Sequence, residues 1–272
     1  MSLAIRNASY GYRPGRPLFS GLDFALSPGD IMAVLGPNGS GKTTLLNTIT
    51  GMMAWQQGET RINDKPLAAY GERALWRHIG YVPQARANAF AYSVLDMVLL
   101  GRAAHLGTFS RPGAKDRALA RRVLERLEIG HLETAYCNAI SGGELQLVFI
   151  ARALIGEPSI LFLDEPESHL DFKKQLIILD IIERLAREDR LTCVMNTHFP
   201  NHALRIADSV LMLGGDGTHR FGPTNTVLTE DSIRACFGVN ARIDTIVAEG
   251  RAMRAIYPVS LDRPPALSQP ES

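Results

Sequence analysis

The chain has 272 residues, 46% of them apolar and 21% charged, which is enough to bury a large core and ordinary for a globular protein. Its 29 Lys and Arg stand against 28 Asp and Glu, a formal net charge of +1, so it carries no global basic signature for nucleic acid or for an anionic membrane surface. Three widely spaced cysteines, Cys137, Cys193 and Cys236, with no CxxC, exclude a disulfide framework and a zinc site and fit a reducing compartment.

Residues 1–35 read as short strands with turns, Ser27-Pro28-Gly29-Asp30 being one turn signal. Ile31-Met32-Ala33-Val34-Leu35 is a continuous apolar run, the pattern of a strand buried on both faces. A glycine-rich loop follows, then a helix from Thr43 to Ile49 that stops near Gly51, which makes half of a βαβ unit. From about 87 to 157 the pattern becomes mostly helical. In Ala114–Leu127 the side chains of Leu119, Val123, Leu124 and Leu127 share one face. Strand character returns at Ser159–Leu163, Leu191–Met195 and Ser209–Leu213, with a helix over Phe172–Leu185. This alternation predicts an α/β fold with a parallel sheet covered on both faces. The tail beyond about 255 is rich in Pro and Ser, and about its last ten residues are expected to be disordered. No apolar run reaches the roughly 20 residues of a bilayer-spanning helix. Met1–Tyr10 carries no hydrophobic signal-peptide core, so any membrane role is expected from the cytoplasmic side, through a partner.

Two segments carry chemistry. Gly36-Pro37-Asn38-Gly39-Ser40-Gly41-Lys42-Thr43 fits GxxxxGK[ST] between a strand and a helix, and Thr44 continues the run. Glycines let the backbone curl so that successive N–H groups converge on phosphate oxygens, and the helix adds its N-terminal dipole. Lys42 would put a point charge on the β and γ phosphates, and Thr43 would ligate Mg²⁺. Ile160-Leu161-Phe162-Leu163-Asp164-Glu165 is an apolar strand ending in two carboxylates. By itself the pair could cap a strand–helix turn. Beside a phosphate loop, Asp164 would hold Mg²⁺ and Glu165 would polarise the attacking water.

Ile140-Ser141-Gly142-Gly143-Glu144, lying between these two segments, resembles the LSGGQ signature of the ABC ATPases. The resemblance spans about residues 3–240 and implies an α/β P-loop NTPase (RecA-like) core, with an N-terminal antiparallel β subdomain and a helical subdomain inserted at about 87–157. Residues 241–272 would form a C-terminal extension. It implies ATP and Mg²⁺ as cofactors. It also implies that Tyr12 (or else Tyr10) stacks on adenine, that Gln84 contacts Mg²⁺ and senses the γ-phosphate, and that His198 hydrogen-bonds that phosphate. Asp171 matches the D-loop at a dimer interface. In the resembling proteins two copies pack head to tail, so Ser141, Gly142 and Gly143 of one copy would close over ATP held by the other. Glu144 stands where Gln is usual, His169 where Ala is usual and Glu167 where Thr is common. Glu144 would add negative charge near the partner's nucleotide.

One cassette without a membrane segment implies a subunit that docks on a separate permease, on the cytoplasmic face of the inner membrane. Phe90–Arg102, then His105-Leu106-Gly107 with Phe109, and Thr197–Ala203 are similar to ATPases of the large-permease importers, whose cargo is ferric siderophore, haem, cobalamin, molybdate or tungstate. The permease dimer would be met through Gln84–Arg102, an extracytoplasmic binding protein only indirectly, and nucleic acid not at all. The alternative is a non-transport ABC protein, an ATP-switched binding module. His105 and His202 are expected to be packed or solvated rather than metal ligands.

Overall fold

Alternation decides the first sheet. In the computed structural model, which describes residues 1–13, 15–84, 91–107, 110–248 and 250–262, strands β1 (Leu3–Tyr10) and β2 (Phe19–Leu26) pair antiparallel. Phe19, Leu22, Phe24 and Leu26 turn inward while their neighbours face solvent. The run Ile31–Leu35 does not alternate because it is β3, buried at every residue in the middle of a second sheet. After it come α1 (Lys42–Ile49), β4 (Gln57–Ile62), β5 (Lys65–Pro66), the short α2 (Glu72–Leu75) and β6 (Ile79–Val82). The first sheet has the order β2-β1-β4-β5.

Between β6 and the next strand lie α3 (Val94–Leu99), α4 (Ala114–Arg126) and α5 (Gly142–Leu154), and no strand among the described residues. Val94, Val98, Ala120, Leu124 and Val148 pack their apolar stripes together. The chain then returns to the second sheet as β7 (Ile160–Asp164), α6 (Phe172–Asp189), β8 (Thr192–Asn196), α7 (Pro200–Ile206), β9 (Ser209–Leu213) and β10 (His219–Pro223). That sheet runs β10-β9-β3-β8-β7-β6, parallel except for the edge strand β10. It is the α/β core the sequence predicts, with each expected strand and helix found within a few residues of its predicted bounds. Residues 85–90 and Phe109, part of the segment similar to the large-permease importers, lie outside the described residues, as does the tail from 263.

The last ten residues, expected to be disordered, lie outside the described residues, and the chain ahead of them is folded. After α8 (Thr224–Val227) and α9 (Glu230–Phe237), β11 (Val239–Ala248) and β12 (Arg251–Leu261) form an antiparallel hairpin. Ala241 and Ile256 are buried against the β9 side of the core, with Ile243 and Phe237 beside them. Pro258 falls next to a register shift between Asn240 and Ala241, where a missing N–H costs the ladder little.

Cys193 in β8 is fully buried, as its apolar run predicts, and burial pushes its thiol up to about 12. Burial raises Cys236 to about 11 and Cys137 likewise upward, which leaves all three unreactive near neutral pH. No helix among the described residues is long and apolar enough to cross a membrane.

Candidate active site

The site forms where the parallel strands end. β3 lies between β8 and β9 and delivers Gly36 to the carboxyl edge of the sheet, the usual ligand edge in such folds. A Cβ at Gly36 would come within 2.5 Å of the Leu213 carbonyl oxygen and of Ser40 Oγ, so only glycine fits. Gly39 and Gly41 take φ of 83° and 97°, and Gly41 is the N-cap of α1. The loop therefore folds its backbone over the start of a helix with free N–H groups. Lys42 bends back, and its Nζ donates to the carbonyl oxygens of Gly36 (3.0 Å) and Pro37 (3.3 Å). Burial lowers its pKa, and the carboxylates of Glu165 and Asp164 oppose that shift. Ser40 Oγ is buried with no hydrogen-bond partner among the described residues.

Asp164 closes β7 directly opposite Asn196 at the end of β8. Its Oδ1 accepts from Asn196 Nδ2 (2.8 Å) and from Thr43 Oγ1 (3.2 Å), and its Oδ2 from the Tyr81 hydroxyl (3.4 Å). Burial, reinforced by Asp164, pushes the Tyr81 phenol upward, so it stays a neutral donor. Glu165 takes the left-handed conformation, φ 49°, rare for a residue with a side chain, and its N–H is tied to the Asn196 carbonyl oxygen at 3.1 Å. Oε2 accepts from Gln84 Nε2 (3.3 Å) and Ser168 Oγ (3.1 Å) and lies 3.6 Å from His198 Nδ1, while Oε1 is 3.9 Å from Lys42 Nζ. Gln84, His198 and Lys42, which belong to three separate motifs, thus converge on the Glu165 carboxylate.

Tyr12 and Tyr10 have different surroundings. Tyr12 is 65% exposed, and its hydroxyl is 2.9 Å from Thr44 Oγ1. Tyr10 packs into the core beside Phe19 and meets Tyr12 edge-on at 5.4 Å. Tyr12 lines a cleft of about 410 Å³ with Asn38, Lys42, Thr43, Thr44 and Glu165. Ser141, Gly142, Gly143, Glu144 and Asp171 do not line it.

Ser141 is the N-cap of α5, and Glu144 completes a capping box: the Ser141 N–H donates to Glu144 Oε2 at 2.8 Å and the Glu144 N–H to Ser141 Oγ at 3.4 Å. The Ser141 hydroxyl and N–H hold the Glu144 carboxyl below its ordinary pKa. The Glu144 charge is thus tied to its own helix start, a local role that the signature comparison does not suggest. Lys174 Nζ donates to Ser141 Oγ at 3.2 Å, and a Cβ on Gly143 would strike the Lys174 chain at 2.4 Å, whereas Gly142 faces open space. Asp171 caps α6 through the Lys174 N–H at 2.9 Å. His105 Nε2 pairs with the Gly156 carbonyl oxygen and His202 with Glu167, so both are packed.

Three contributors escape sequence reasoning: Tyr81, Asn196 and Ser168. Tyr81 and Asn196 are polar side chains near a strand's carboxyl end, and Ser168 opens the segment that resembles the D-loop ahead of Asp171.

The ABC transporter family model matches residues 19–168. The chain belongs to that family. It is 38% identical to the molybdate import ATP-binding protein MolC of Haemophilus influenzae, over 87% of this chain and 88% of that one. A chain from an ABC transporter of the metal-chelate type, solved in an inward-facing conformation, superposes with a TM-score of 0.85 at 35% identity, covering 95% and 97% of the two chains. An ATP-binding cassette solved as a dimer with ADP and Pi superposes with a TM-score of 0.69 at 27% identity, covering 82% and 98%. This ABC protein is therefore an ATP-binding one with the P-loop fold and the antiparallel β subdomain expected of it.

Proposed function

We propose that this ABC protein is the ATP-hydrolysing subunit of an importer that moves a metal chelate or an oxyanion through a separate membrane protein. The convergence of Gln84, His198 and Lys42 on Glu165 carries the hydrolysis reading. The cargo class rests on the molybdate and metal-chelate relatives.

The residues fit a magnesium nucleotide. The unpartnered Ser40 hydroxyl, the Lys42 ammonium and the N–H groups of the Gly39–Gly41 turn are donors suited to a polyphosphate. The Thr43 hydroxyl and Asp164 carboxylate are hard oxygen donors suited to Mg²⁺, and Gln84 pairs with the adjoining Glu165. Bound Mg²⁺ would neutralise charge on the β and γ phosphates. Tyr12 offers an exposed ring to adenine. Lys42 exchanges its backbone carbonyls for phosphate oxygens. Glu165 orients water and accepts its proton, His198 donates a hydrogen bond towards the γ-phosphate, and Gln84 holds Glu165 until nucleotide arrives.

The related cassette solved as a dimer with ADP and Pi supports a head-to-tail homodimer in which Ser141, Gly142, Gly143 and Glu144 approach the partner's nucleotide beside Asp171. Ser141→Arg is expected to leave ATP affinity of the monomer within about twofold, because Ser141 shares no hydrogen-bond partner with the phosphate-loop residues. The same change should block ATP-dependent dimers in light scattering; normal dimerisation would remove the cross-subunit role.

The chain would sit at the cytoplasmic face of the membrane, with the helical subdomain at about 87–157 and the Gln84–Arg102 region against the permease. Tyr92 and Leu100, exposed beside the otherwise mostly buried α3, suit that contact. The test is ATPase activity of the permease complex in liposomes, with and without a binding protein loaded with molybdate or a ferric chelate. Stimulation by one loaded protein is the expected result. Failure to bind any permease, with ATP-driven dimerisation intact, would favour a non-transport module.

A further inference from the structure

Glu167 has no role in the steps above, yet it is 0% exposed. A buried carboxylate is costly unless its oxygens are bonded, and an apolar side chain would fill the same space at less cost. Its partners explain the choice. The Thr197 hydroxyl, also fully buried, donates to Glu167 Oε1, and His202 Nδ1 lies 3.4 Å from the same oxygen. Oε2 has no partner among the described residues. Thr197 Oγ1 in turn accepts the Phe199 N–H at 3.0 Å, and the Thr197 N–H donates to the Val34 carbonyl oxygen at 3.1 Å, on the strand that feeds the phosphate loop. The Phe199 ring meets two imidazoles at a tilt, 4.0 Å from that of His198 and 4.7 Å from that of His202. His198 is thus flanked by residues whose positions are set from Glu167 along two routes, one through Thr197 and the Phe199 backbone, the other through His202 and the Phe199 ring.

We propose that Glu167 is a positioning residue that aims His198, with Thr197 and His202 as its two arms. It stands in the turn between Glu165 and Asp171, so it couples the segment carrying the base to the segment carrying the histidine. The inference rests on the reading of His198 as a γ-phosphate contact.

Thr197→Val keeps the shape and removes the hydroxyl. In the full chain with ATP and Mg²⁺, kcat is expected to fall about 10- to 100-fold, the usual consequence of a reacting group displaced by a fraction of an ångström to an ångström. ATP affinity by calorimetry should stay within about twofold, because the lost alignment acts on turnover rather than on ground-state binding. Thr197→Ser should restore most of the rate, and Glu167→Gln, which keeps an acceptor oxygen for Thr197, should retain more activity than Glu167→Leu. The His198 ring resonances should shift in Thr197→Val and return in Thr197→Ser. Unchanged kcat and unchanged His198 resonances in Thr197→Val would overturn the proposal, as would a rate loss accounted for by a smaller folded fraction. If His198→Ala hydrolyses ATP normally, the role given to His198 fails instead, and the ring resonances still report whether Glu167 holds it.

Discussion

Glu165→Gln is expected to bind ATP with near-native affinity and to lose turnover by about 100- to 10,000-fold, the range for removal of a general base. The substitution is nearly isosteric. It keeps an acceptor for Ser168 and the left-handed turn pinned to the Asn196 carbonyl, so the surrounding geometry persists. It removes the proton acceptor and the negative charge that faces Lys42 at 3.9 Å. Removing that charge also lowers repulsion towards the γ-phosphate, so the ATP-bound dimer should accumulate. Phosphate release measures the rate, calorimetry the affinity, and size exclusion with ATP the dimer. A variant that hydrolyses ATP at the wild-type rate would strip Glu165 of the role of base.

Lys42→Ala is expected to act on binding itself, weakening ATP affinity by about 10- to 100-fold, since hydrogen bonds to charged groups contribute about 1.5–3 kcal/mol each. Lys42 is buried, and desolvation already lowers its pKa. The pair of carbonyl acceptors on Gly36 and Pro37 holds the ammonium close to the loop before nucleotide arrives. Its loss leaves the Glu165 carboxylate without its cationic neighbour, which adds repulsion to the missing attraction. Calorimetric titration with ATP and Mg²⁺ checks this, with circular dichroism to confirm the fold. Near-normal affinity would mean that the loop's N–H groups alone hold the phosphates. The two variants are opposite in kind: one keeps nucleotide and stops turnover, the other fails to hold nucleotide.

Much of this site follows from the local sequence because its chemistry is local. A loop that must wrap phosphate needs glycine where φ is positive, at Gly39 and Gly41, and where a Cβ would meet Leu213, at Gly36, and those demands fall on neighbouring residues. A strand buried on both faces has to be apolar throughout, so Ile31–Leu35 and Ile160–Leu163 announce themselves, and so does the place where Asp164 and Glu165 emerge. What the sequence by itself determined was therefore the α/β core, the phosphate loop, the acidic strand end and, through the ordered motifs, the family. Strand register decided the rest. Asn196 meets Asp164 because β8 ends level with β7, Tyr81 on β6 reaches it from opposite Phe162, and Ser168 reaches Glu165 because a left-handed residue turns the chain back. The pairing of Glu144 with Ser141 in a capping box likewise depends on where α5 begins. Glu167 is separated from Thr197 and His202 by a whole helix and strand, and a polar triad of that kind has no periodicity to betray it. The hairpin β11–β12 stayed hidden for a related reason: its core-facing residues, Ala241 and Ile256, acquire meaning only once β9 and α9 supply the apolar surface they cover.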